Sequence, residues 1–401
     1  WIVRLGDGTD ESHARMQRAL DRLWPYTGEL FAGDAVDATL AAQGVAPDPA
    51  QLRAPWLATI DAVCADPNPK NRKAAQDLMK GMSPALDLAV QAAAKPHIDF
   101  ERNWKADDPI NMEFPELSGF RELVKGLMAR ARLRSLTGDV VGALSDFRAG
   151  FKLGRFVGAD PVLIGALVHI ACDSIVVRVM ELSLALRPND QAFRDRLDAL
   201  AAEQAAQPLD MVHALRGEVL FGIAASKAPL EMGKMLQGNP DSDAEVEKLQ
   251  KQLHPPGVPQ ELLQQAYRAR ILQFWNEIFA NTESHKDPLL LTEFINKTIK
   301  KYEQKDDPAS ALNRLVLPVF DQAGQAYARR EVGLMTFRGL HAVLKYRAKH
   351  GKYPKTLAEA GVNSLDPFTG KPLHLKVVGD EVRVYSLGPD KSDQGGEDNV
   401  P

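Results

Sequence analysis

The sequence predicts a mainly α protein: a multi-helical bundle of helical hairpins, closed near its end by one small β-hairpin. Three observations carry this expectation. Apolar residues recur at three- and four-residue spacings through most of the chain. Ala and Leu are plentiful while aromatics are only 7%, which favours helix packing over sheets. Alternation of apolar and polar residues is confined to a short stretch near residue 380.

Taken in order, residues 10–24 read as a helix. Thr9 can cap it, Asp10 and Glu11 suit its first turn, and Pro25 stops it. A short helix follows near 34–43, and Asp48-Pro49 opens another that reaches Cys64. The breaker cluster "ADPNPKN" at 65–71 ends it, and the character of the chain changes there. Helical patterns then run over 72–94, 117–136, 139–157, 161–186, 189–205 and 208–226. The hairpin over 120–157 turns at Thr137-Gly138-Asp139, and its "GDVVGALSDFRAG" resembles one tetratricopeptide-type unit, with no second copy at that period. Residues 227–259 are rich in Lys, Gln, Asp, Gly and Pro and read as a linker. Helices resume at 259–281, 289–304 and 308–350. Last, "LHLKVVGDEVRVYSL" alternates around Gly379-Asp380, which suits a two-residue hairpin turn. The expected organisation is therefore 1–65, 72–226, a linker at 227–259, 260–350, and a tail over 351–401.

Composition narrows the function. A net charge of −4 over 401 residues argues against nucleic acid as the main partner. The two cysteines, Cys64 and Cys172, lie far apart, so neither a disulfide framework nor a thiolate zinc site is expected. No run approaches the roughly 20 apolar residues of a membrane span. The first residue is Trp1, so an upstream segment is expected, and any anchor or export signal would lie in it. There is no G-x-S-x-G, G-x-G-x-x-G or P-loop.

Two resemblances add to this reading. "RLGDGTDESHARMQ" followed by "LWPYTGELF", within residues 1–62, resembles the C-terminal part of the structural, non-catalytic subunits of ring-1,2-phenylacetyl-CoA epoxidases. That resemblance implies a ferritin-like helical origin, a scaffold role in phenylacetate degradation, a cytoplasmic location, and a catalytic epoxidase subunit as protein partner. Residues 72–401 resemble uncharacterised helical bacterial proteins, often membrane-anchored. Their tail, with Gly351-Lys-Tyr-Pro354, Asp366-Pro-Phe368 and Ser386-Leu-Gly388-Pro-Asp390, is similar to type II secretion pseudopilins. It implies the alternative of an envelope protein anchored through upstream residues. The order of the two resemblances on one chain predicts a fusion.

Candidate sites follow. Asp10 and His13 have the acid-x-x-His spacing of di-iron bundles. A di-iron centre needs two such motifs and further carboxylates. Only Asp210/His213 repeats the spacing. Asp10 and His13 are therefore expected to be inherited geometry without metal. His169 and Asp173, spaced i, i+4 in an apolar run, read as a core pair rather than a proton shuttle. The acidic tail "GPDKSDQGGEDN" is the best cation candidate: hard cations want several oxygens gathered by a tight turn, which Gly395-Gly396 permits. The pseudopilin resemblance implies calcium there, held by Leu387 through its carbonyl and by Asp390 and Asp398, with Asp393 beside them.

Overall fold

Capping residues set the helix boundaries. The structure, a computed structural model, describes residues 4–5, 55–104, 112–187, 189–227, 251, 253, 256–282, 288–303, 319–379 and 381–396. The helices expected at 10–24 and 34–43, and Asp10 and His13 with them, lie outside the described residues. Helix α1 (Pro55–Ala65) precedes α2 (Pro69–Ala93). The Asn68 side chain accepts the Asn71 N–H at 2.9 Å, and Pro69 begins α2 where a missing N–H costs nothing. Helix α3 (Glu116–Thr137) ends at Gly138, whose φ of 92° is left-handed, and its N–H closes on the Arg134 carbonyl at 2.9 Å. Asp139 then caps α4 (Val140–Val157) by accepting the Gly142 N–H. The predicted turn is the observed one.

Helix α5 (Leu163–Leu186) has no side-chain cap of its own; Glu218 accepts the Leu163 N–H at 2.8 Å instead. Asp190 caps α6 (Gln191–Ala205). Asp210 caps α7 (Met211–Ala225) by accepting the His213 N–H at 2.9 Å. That contact accounts for the second acid-x-x-His spacing: it is a helix cap, and the His213 ring turns away to the Ala159 carbonyl at 3.0 Å. Helices α8 (Gln260–Ala280), α9 (Pro288–Glu303) and α10 (Val319–His350) complete the body.

Burial gathers the helices around two large cores and a small third one. The first joins α1 to α6, with Phe120, Phe147, Phe151 and Phe193 wholly inside. Each such side chain contributes about 1.5–3 kcal/mol by leaving water. Ile60 and Val63 of α1 lie in this core beside Ala75 and Met79 of α2. The second core gathers the start of α5 with α7, α8 and α9 around Tyr267, Phe274 and Trp275. Helix α10 belongs to all three cores: Tyr327 lies in the second, Leu334 and Phe337 in the first, and Val343 in the third.

Two small antiparallel pairs accompany the helices. Strand β1 (Arg4–Leu5) pairs with β2 (Ile98–Asp99), an addition that the sequence pattern does not announce. The predicted hairpin is present as β3 (His374–Val378) and β4 (Glu381–Tyr385), with His374 opposite Tyr385 and Gly379 at the turn. The hairpin leans on α10, where Val384 of β4 approaches Gly339 closely. A β-carbon at Gly339 would sit 3.0 Å from the Val384 side chain. One expectation needs correction. Helix α5, 24 residues long, is long and apolar enough to cross a membrane by length and composition, although more than half of its apolar window is buried against other helices. The sequence scan missed it because His169 and Asp173 interrupt the apolar run.

Candidate functional site

The most unusual chemistry of the helical body lies where α4, α5 and α10 meet. Asp173, fully buried on α5, accepts a hydrogen bond from Arg330 Nε of α10 at 2.6 Å. Arg330 also donates to its neighbour Glu331. His169, one turn before Asp173, holds Nε2 3.5 Å from the same carboxylate oxygen, too far for a good hydrogen bond. Asp173 Oδ1 and His169 Nε2 are buried without a hydrogen-bond partner among the described residues. Room for the cluster comes from Gly154 on α4. A β-carbon there would stand 3.1 Å from His169 Cδ2 and 3.3 Å from Asp173 Oδ1.

Electrostatics fix the protonation. Burial, assisted by the positive charges of Arg330 and Arg155, lowers His169 to about 3. Burial pushes Asp173 up to about 6, with Arg330 and Arg155 pulling it back. At neutral pH the centre is therefore a neutral imidazole beside a carboxylate–guanidinium pair. His169 and Asp173 both lie in the core, as their spacing suggests, but the residue that answers Asp173 is Arg330. Nothing local announces Arg330; the "ARRE" stretch at 328–331 offers two arginines, and only packing selects the second. The centre can join two helices and can relocate a proton. His169 and Asp173 line neither the groove between α2, α4 and α6 nor the one between α2 and α3.

The tail organises a second polar centre around Asp366, which is also fully buried. Its carboxylate accepts from Phe368 N at 2.9 Å, Ser386 Oγ at 3.0 Å, Thr369 Oγ1 at 3.2 Å and Leu387 N at 3.3 Å. The two sequence motifs, Asp366-Pro-Phe368 and Ser386-Leu-Gly388, therefore meet in space. Leu387 stands at the start of the acidic loop. Asp390 accepts from Ser392 N at 3.2 Å and from Gln394 at 3.4 Å. Asp393 accepts from Gly395 N at 2.8 Å and from the Tyr385 hydroxyl at 3.0 Å, which hold its pKa below the usual value. Asp398 lies outside the described residues. Among the described residues no group of three or more His, Cys, Asp or Glu side chains is gathered as a metal site. Cys64 and Cys172 are free thiols, and burial raises Cys172 to about 12.

These features define a helical body whose polar centres tie elements together, followed by a small tail. Residues 1–75 match the family model described as phenylacetic acid catabolic protein, so the N-terminal region is related to that family. The chain is also 48% identical over 62 residues to the C-type component of the 1,2-phenylacetyl-CoA epoxidase of Escherichia coli (strain K12). Those residues are 16% of this chain and 25% of that protein, so the chain spans about a quarter of the curated relative it matches. No solved structure matches the chain. The matched residues include all of α1 and the first turns of α2, where Ile60, Val63 and Ala75 are buried in the first core.

Proposed function

We propose that the chain is a non-catalytic helical scaffold that joins an assembly of the phenylacetyl-CoA epoxidase type through its N-terminal region. The observation that carries this reading is the family match over residues 1–75, together with the burial of its last part in the first helical core. A segment related to an epoxidase component is thereby tied rigidly to the helical body. The polar centres suit the same role, since Asp173–Arg330 joins α5 to α10 and leaves the carboxylate committed to a structural partner. The location under this reading is cytoplasmic. The test is co-expression of the full chain with the catalytic component of a phenylacetyl-CoA epoxidase, followed by size-exclusion chromatography. Co-elution, reversed by an excess of the matching Escherichia coli protein, is the expected result. Separate elution at all concentrations overturns the reading.

A second reading concerns the tail, where Asp366 fixes the strand leading into the acidic loop. Under it, calcium binds through the Leu387 carbonyl, Asp390 and Asp398, with Asp393 beside them, in a protein of the cell envelope. Calcium at ten times its dissociation constant would add about 1.4 kcal/mol of stability to the tail. A thermal transition unmoved by millimolar calcium removes this reading.

A further inference from the structure

A groove of about 440 Å³ opens between the C-terminal end of α2, the outer face of α4 and α6. Its volume lies in the range of about 300–1,000 Å³ that holds small-molecule ligands. Four cations line it: Arg148, Lys152 and Arg155 from α4, and Arg196 from α6. The one carboxylate in the lining, Glu203, stands at the rim, 3.9 Å from Arg148, with both side chains well exposed. A pair of that kind contributes little.

Neutral groups hold two of the other cations. Lys152 donates to the Pro96 carbonyl at 2.8 Å. Arg155 is held by two amide oxygens, Gln204 Oε1 at 3.0 Å and Gln207 Oε1. These acceptors orient the guanidinium and leave its charge in place. Arg196 has no ion-pair partner among the described residues. Burial lowers the affinity of both Lys152 and Arg155 for their protons, and each would regain stability beside an anion. The opposite wall is apolar, formed by Val90, Ala93 and Leu144.

We propose that this groove binds a phosphate monoester that carries an apolar group. Guanidinium forks match phosphate oxygens two at a time. A phosphate monoester brings about −1.5 to −2 charges at pH 7, which answers several cations where one carboxylate answers one. The apolar wall receives the body of the molecule.

The probe is phenyl phosphate, titrated calorimetrically into the full chain beside inorganic phosphate and phenylacetate. Saturable binding of phenyl phosphate, about tenfold or more tighter than either comparator, is expected. R148E and R196E, both at exposed ends of their side chains, should each weaken it by about tenfold or more while the circular-dichroism melting curve stays in place. Absence of saturable heat with phenyl phosphate overturns the proposal. Equal affinity for inorganic phosphate overturns the role of the apolar wall, and equal affinity for phenylacetate overturns the preference for phosphate. Binding indifferent to both charge reversals places the ligand elsewhere and overturns the assignment of the groove.

Discussion

Asp173 in the helical body and Asp366 in the tail are both fully buried carboxylates, yet their partners differ in kind. Asp173 is answered by the charge of one residue, Arg330, 157 positions away. Asp366 is answered by four neutral donors, none more than 21 positions away. A buried ion pair carries the desolvation of two charges and is unforgiving when one partner is lost. A carboxylate ringed by N–H and O–H donors spreads its charge over several shorter commitments, each modest. The body is thus locked by one long-range pair, and the tail by a local net.

The sharpest way to break this contrast is Asp173→Asn. It leaves Arg330 buried opposite a neutral amide, and a loss of about 3–5 kcal/mol in urea unfolding is expected. The double variant Asp173→Leu/Arg330→Met should recover most of that, because similar-sized apolar residues often replace a buried pair at little cost. A loss below about 1 kcal/mol in the single variant would mean that the pair does not lock the body.

Asp366→Ala comes next. Its expected cost is about 1.5–3 kcal/mol, the scale of losing hydrogen bonds to a charged acceptor. The effect should stay within the tail: faster amide exchange at Phe368 and Leu387, with the helical transition unmoved. A shift of the whole unfolding curve would show that the net is not local.

The smallest effect is a dependence on pH. An unfolded histidine takes its proton near 6.5 while buried His169 waits until about 3. Its contribution to stability is therefore lost as the pH falls from 6.5, by about 1.4 kcal/mol per pH unit at full slope. Asp173 acts in the opposite sense, because its folded value of about 6 lies above the unfolded value of about 3.9. Between these two values, lowering the pH adds stability through Asp173. The two residues nearly cancel over this interval. In His169→Gln only the Asp173 contribution remains, so the variant should gain on the wild type as the pH falls from 7 to 4.5. Urea midpoints at both pH values read the difference, and parallel curves would refute it.

The same contrast decides what the sequence could reveal. Helix positions follow from local signals, such as Asp139 and Asp190 as caps and Gly138 as a stop, and they stand where the pattern puts them. The hairpin turn at Gly379 is equally local. Asp366 and Ser386 were legible as ordered motifs, although their hydrogen bond was not. Arg330 was invisible as the partner of Asp173, because nothing within one turn of either residue distinguishes this pairing from a solvated arginine. The groove was hidden for the same reason: Arg148, Lys152 and Arg155 form one face of α4, but Arg196 joins them only through packing. The acid-x-x-His spacing shows the reverse hazard, since at Asp210 and His213 a metal-like pattern proves to be a cap.

Helix α10 has a consequence for how the chain is made. Its 32 residues, about 48 Å of helix, reach into all three cores. Synthesis runs from the N-terminus, so the first core must wait for Leu334 and Phe337, and Asp173 for Arg330. Until then α5, the most apolar helix, has an open flank and a buried acid without its counter-charge. The nascent chain therefore exposes its stickiest surface throughout translation, and a ribosome that stalls before residue 330 releases a product that cannot close.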